Sequence, residues 1–187
     1  MYILGILIII LLAIGSTLVG IFNRFASNRN RVKDAWSNID VALKRRHDLI
    51  PNLVNTVKGY AAHEQDTLNQ VVAARNAAMA APKGDIRAQI QAEGELQQAL
   101  RSLFALSEAY PDLKANANFL DLQQKLHEIE ENLERSRRYY NSTVRENNTY
   151  GESFPGVLFA SLFNYQRFDF FEAEAADRDN IDVDFTK

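Results

Sequence analysis

In a chain without cysteine, three histidines are the side chains best suited to proton transfer near neutral pH and to binding a metal. His47 lies in "KRRHDLIPNL" (Lys44 to Leu53), where three bases, a histidine and an acid run together, while His63 and His127 are each followed by glutamate. A di-iron centre in a helical bundle uses Glu-x-x-His pairs plus further glutamates. The residues three places ahead of the histidines are Lys44, Tyr60 and Gln124, so that motif is absent. "HEIEE" at His127 to Glu131 ends in glutamate where a zinc His-Glu-x-x-His motif needs histidine. A site joining His63-Glu64 to His127-Glu128 is disfavoured, because adjacent helix residues point to different sides. There is no Gly-x-Ser-x-Gly turn and no Gly-rich phosphate loop, and a Cys-His pair is impossible. The expectation is a non-enzyme with no cofactor and no metal.

Two arginines are the next candidates, because each interrupts an apolar stripe. Val32, Ala35/Trp36, Ile39, Leu43, Arg46, Ile50, Leu53, Val57 and Tyr60 fall three or four apart, as do Phe119, Leu122, Leu126, Ile129, Leu133, Arg137, Tyr140 and Val144. A guanidinium on such a stripe either snorkels outward or pairs with carboxylates, and Asp40, Asp48, Glu130 and Glu134 are in helical reach. Snorkelling is the simpler reading. The sharper one makes Arg46 and Arg137, with Asp40, Glu130 and Glu134, a polar layer that fixes helix register.

The elements that hold these residues read as helices almost throughout. The first long helix carries Pro51, whose missing N–H predicts a kink or short break near His47 to Ile50. "KRRHDLIPNL" then reads as a turn with its charges in solvent and Arg46 drawn to the seam. A second helix is expected over about 62–80, with Leu68, Val71, Val72, Arg75 and Met79 inside. "APKGD" breaks it, and Asp85 is placed to cap a third helix running to about Ala109. "YPDL" turns the chain at Pro111. The fourth helix has coiled-coil spacing and should close at Gly151. Four amphipathic helices on short turns predict an antiparallel four-helix bundle.

Ahead of the bundle, "ILGILIIILLAIGSTLVGIF" (Ile3 to Phe22) contains no charge. Twenty residues at about 1.5 Å each span roughly 30 Å, the thickness of a hydrocarbon core. This predicts a transmembrane anchor whose lipid-facing residues include Ile3, Leu7, Ile10, Ile14, Leu18 and Phe22. A cleaved signal peptide would need a basic start and a shorter apolar run. Arg24, Arg29, Arg31 and Lys33 follow the run and no Lys or Arg precedes it, which puts the following domain in the cytoplasm. These bases also suit anionic headgroups.

After Gly151 the aromatics crowd, with Phe154, Phe159, Phe163, Phe168 and Phe171 the main members, and Pro155 suits the first turn of a short helix. Such a segment folds back to cap the bundle, meets a second subunit, or meets the membrane interface. The 187 residues carry a net charge of −3, so composition gives no reason to expect nucleic acid as a partner.

"AWSNIDVALKRRHDLIPNLVNTVKGYAAHE" (Ala35 to Glu64), "YPDLKAN" (Tyr110 to Asn116), "NFLDLQQKLHEIEENLERSRRYYNSTV" (Asn118 to Val144) and "SFPGVLFASLF" (Ser153 to Phe163) resemble blocks of the LemA family in their order and spacing. The resemblance implies a bacterial membrane-anchored helical bundle, related to a magnetosome membrane protein, with no established enzymatic activity. The acidic tail from Glu172 lies outside those blocks and looks individual to this chain.

The resulting organisation is all-α: an anchor over 1–23, the bundle over 24–152, an aromatic-rich segment with a short helix over 153–171, and an acidic tail over 172–187. The expected function is a single-pass scaffold or interaction protein of the bacterial cell membrane, whose partners are the lipid bilayer and further copies in a homo-oligomer. The alternative is an auxiliary subunit of another membrane machine, such as a membrane protease or envelope-stress component, with a membrane protein as partner.

Overall fold

A computed structural model describes residues 2–82 and 84–171, so the acidic tail lies outside the described residues. Every regular element among them is a helix: α1 (Tyr2–Lys58), α2 (Gln65–Ala80), α3 (Ile86–Ser107), α4 (Pro111–Lys114), α5 (Ala117–Glu152) and α6 (Gly156–Phe159). The chain forms two compact units. One takes residues up to Asp48 together with Gln123–Phe170, and the other takes Leu49–Leu122 and, among the described residues, Phe171.

In the first unit α1 is exposed along its apolar run and then becomes a core helix. Ile21, Phe25, Asn28, Val32, Ala35, Ile39, Ala42 and Arg46 are buried and alternate four and three apart, so one face stays turned toward a partner. That partner is α5, where Leu126, Leu133, Tyr140 and Asn147 are buried seven apart. The two run antiparallel: Arg46 meets Glu130, Trp36 meets Tyr140, and Phe25 meets Tyr150, so each step along α1 is a step back along α5.

Of the kink or short break expected near His47 to Ile50, the break is absent, since α1 is continuous and contains Pro51 within it. What changes there is the phase of the stripe. After Arg46 the next buried apolar residue is Ile50, a second step of four in succession, followed by Leu53 and Val57. Repeating a step of four rotates the buried face around the helix, and the unit boundary at Asp48/Leu49 falls within that step. The rotation also explains why Arg46 and His47 are both buried while Lys44, Arg45 and Asp48 are exposed. Lys44 and Asp48 pair on the surface one turn apart.

The second unit packs α2 against α3. Leu68, Val71 and Ala78 are the buried positions of α2, whereas Val72 and Met79, expected inside, are exposed. The helix is rich in alanine, so Ala78 can bring it close to its neighbour without a large side chain. On α3, Leu96, Leu100 and Leu103 are buried, and Asp85 caps the helix by accepting from the Ala88 N–H at 3.0 Å. Asn116 does the same for α5 through the Phe119 N–H, and its amide also donates to the Tyr60 hydroxyl at 2.8 Å. "YPDL" is a one-turn helix with Pro111 in its first turn.

Candidate functional site

The layer residues and most of the aromatics singled out from sequence fall in two regions of the first unit, while Phe171 and His63 belong to the second. The first is the arginine position on the stripe. Arg46 is only 1% exposed, and its Nε lies 3.0 Å from Glu130 Oε1, a close ion pair whose N–H is poorly aligned for a hydrogen bond. Snorkelling therefore does not describe Arg46. Arg137 is half-buried, Glu134 pairs with Arg138 on its own helix, Asp40 is exposed, and Arg46 with Glu130 forms an ion pair within the expected layer.

The second region surrounds the exit of α1 from its apolar run. Phe25 is buried against the rings of Tyr150, Phe163 and Tyr165 at 4.9, 6.0 and 6.0 Å. Phe163 also meets Phe22 edge-on at 5.4 Å and stacks with Phe159 at 5.9 Å, so an anchor residue and two of the expected aromatics share one cluster. Two glycines permit the approach. A Cβ on Gly156 would lie 2.0 Å from the Tyr150 carbonyl oxygen, and one on Gly151 would lie 2.2 Å from the Tyr165 ring. Of the remaining aromatics, Phe168 is half-buried, Phe154 is exposed and Phe171 is buried in the second unit.

Beyond this cluster an extended stretch runs back along α5, held by side chains the sequence reading missed. Asn148 reads the backbone of Phe168 on both sides: its Oδ1 accepts from the Phe168 N–H at 3.1 Å, and its Nδ2 donates to the Phe168 carbonyl at 2.9 Å. Asn147 donates to the Gln166 carbonyl at 3.0 Å, and the Tyr140 hydroxyl donates to the Asp169 carbonyl at 3.0 Å. The signal available was positional. Asn147 continues the seven-residue spacing of Leu126, Leu133 and Tyr140, where an apolar residue would otherwise stand. Asn28 gives the same signal on α1: it is 3% exposed, and neither atom of its amide has a partner among the described residues. Burying such an amide costs about 1–3 kcal/mol.

Burial, reinforced by the Asp169 charge, pushes the Tyr140 hydroxyl up to about 12 from its ordinary 10. Tyr165 is also raised, first by burial and then by Glu152, with Arg167 acting the other way. A folded-state value above the unfolded one stabilises fully below pH 10, and that contribution is lost as pH rises from 10 to 12. The thermal midpoint of the reconstituted protein should therefore fall across that window, and Tyr140→Phe should lessen the fall while lowering the neutral-pH stability by about 1 kcal/mol for the lost hydrogen bond. An equally steep fall in the variant would assign it to other groups.

Of the three histidines, His47, beside Arg46 on α1, is buried at 7% exposure. An open groove of about 430 Å³ between α1 and α5 is lined by Asn38, Val41, Ala42, Arg45, Ile129, Asn132, Arg135, Ser136 and Tyr139, without a carboxylate or histidine. A cavity of about 30 Å³ beside Phe22, Arg29, Asn147 and Phe163 has room for about one water. His63 and His127 are exposed, and His127 lies 3.5 Å from Glu131 on its own helix. Among the described residues no three His, Asp or Glu side chains gather as a metal site.

Similarity to known proteins follows the same outline. The chain is 22% identical to the magnetosome protein MamQ of Magnetospirillum gryphiswaldense, over 92% of this chain and 72% of that protein. It is 23% identical to protein LemA of Metamycoplasma hominis, over 88% and 75% of the two chains, and 24% identical to magnetosome protein MamQ 2 of Paramagnetospirillum magneticum, over 86% and 68%. The model of the LemA family matches residues 35–185, which takes in most of the acidic tail that the sequence blocks left aside. With that match covering most of its length, the chain belongs to the LemA family.

Proposed function

We propose that this protein is a membrane-anchored helical scaffold of the bacterial envelope that self-associates and carries out no catalysis. The observation that carries this reading is the continuity of α1: one helix begins as an exposed apolar run and becomes, without interruption, the core of a packed unit. Such a helix joins a bilayer mechanically to whatever the packed helices bind. In this reading residues 1–23 cross the membrane once, and the following domain stands in the cytoplasm, on the side of Arg24, Arg29, Arg31 and Lys33. Helices α1, α2, α3 and α5 are the four members of an antiparallel coiled-coil bundle. Likeness to a protein LemA and to magnetosome proteins supports a membrane-associated helical protein.

The reading is tested by extracting the tagged full-length protein from native membranes into nanodiscs and determining the mass of the particle. A homo-oligomer alone is the expected result. A foreign membrane protein present in fixed stoichiometry would instead make the chain an auxiliary subunit of another machine.

A further inference from the structure

We infer that the α6 region is a second membrane contact, a foot that lies in the headgroup–acyl boundary of the bilayer beside the point where α1 leaves it. The inference rests on the reading that the apolar run of α1 spans the membrane. Its own basis is the two-sided character of residues 154–163. One side packs inward, with Gly156 against Tyr150 and Phe25, Phe163 against Phe22 and Phe25, and Phe159 stacked on Phe163. The other side presents Phe154, Leu158 and Leu162 at 81%, 64% and 69% exposure, with Val157 half exposed between them. A short segment apolar on both sides is unstable against water unless something covers the second side.

The position of the segment identifies the cover. Phe163 touches Phe22, the last residue of the apolar run, and Phe22 is itself exposed, so the outward side of the foot is continuous with the surface that α1 would present to acyl chains. One turn further along α1 the surface becomes basic. Arg24 reaches Glu146 at 2.8 Å, and Arg29 and Lys33 are exposed. Apolar and aromatic side chains at the level of the acyl boundary, with cations just above them, match the chemistry of a membrane interface with anionic headgroups. A foot beside the anchor would fix the tilt and rotation of the first unit on the membrane, which one spanning helix leaves free.

The absence of native cysteine allows a clean test in the full-length protein. Single-cysteine variants Leu158→Cys and Leu162→Cys, both at exposed positions, are labelled with a nitroxide and reconstituted into phosphatidylcholine/phosphatidylglycerol vesicles. Collision with oxygen, which concentrates in acyl chains, is compared with collision with a water-soluble nickel chelate. Ile10→Cys reports the anchor and Arg138→Cys the aqueous domain. The expected result is that the labels at 158 and 162 favour oxygen, as the label at Ile10 does, while the label at Arg138 favours the chelate. If 158 and 162 favour the chelate while Ile10 favours oxygen, the foot is refuted and the anchor stands. If the label at Ile10 favours the chelate, the anchor has failed, and the foot, which rests on it, falls with it. Labels at 158 and 162 shielded from both reagents, with spin–spin broadening relieved by unlabelled protein, would show that a second copy covers the patch and would overturn the lipid contact.

Discussion

Arg46→Ala should lower the stability of the reconstituted protein by about 3 kcal/mol, the low end of the range for removing one partner of a buried pair. The low end applies because Glu130 keeps 36% of its side-chain surface exposed and can take up water once its partner is gone, whereas Arg46 retains 1%. Part of the loss is charge and part is the packed alkyl stem. For a chain of this size the thermal midpoint should drop by roughly 6–12 °C. Arg46→Met keeps most of the volume and removes the charge, so comparing it with Arg46→Ala separates the two contributions. Combining Arg46→Met with Glu130→Leu should recover most of the loss, because an apolar pair of similar volume avoids the desolvation that a buried ion pair requires. In a double-mutant cycle the coupling should be about 1–3 kcal/mol. A coupling near zero would mean that Arg46 is held by its other contacts, and the register-setting layer would have to be abandoned.

The same residue shows what the sequence made legible. Arg46 on an apolar stripe is visible because every other member of the stripe is apolar or aromatic, whereas its pairing with Glu130 is not, because the two sit on different helices, α1 and α5, and only tertiary packing brings them together. The apolar run of α1, the cap at Asp85 and the turn at Pro111 are local features and could be read locally. Asn28, Asn147 and Asn148 were not, although they continue the buried spacings, because asparagine is common on helix surfaces and only a tertiary partner reveals that it has turned inward. The inner face of α2 was misread for a related reason: small residues lie on several sides of it, so Val72 and Met79 looked as suitable as Ala78. The division at Asp48/Leu49 had a sequence sign in the doubled step of four from Ala42 through Arg46 to Ile50, which the presence of Pro51 drew attention away from. The aromatic density after Gly151 was plain, but the choice among a cap, a subunit contact and a membrane contact depends on which side of the segment each ring occupies, and an irregular segment has no periodicity from which to read that.

Asn148→Leu should release the extended stretch after Tyr165 from α5. The substitution preserves approximate volume but removes both hydrogen bonds to the Phe168 backbone and leaves the Asn147 amide without the 3.2 Å acceptor it has in Asn148 Oδ1. Each polar group stranded in this half-buried setting costs about 1–3 kcal/mol. A local loss of about 3 kcal/mol corresponds to an increase of about a hundredfold in hydrogen exchange at the Phe168 amide. Asn148→Asp should be at least as damaging, since a carboxylate still accepts from the Phe168 N–H but faces the Phe168 carbonyl with an unscreened charge. The oligomeric state of Asn148→Leu then decides what the stretch is for. Faster exchange with the particle mass unchanged means that the segment serves its own chain, by covering α5. Loss of the oligomer together with faster exchange means that the docked segment also forms the surface on which copies meet, because an irregular aromatic strand can present a fixed face to a neighbour only while Asn148 holds its backbone against the helix. Unchanged exchange at Phe168 would show that the rings around Phe25 hold the segment without the asparagine.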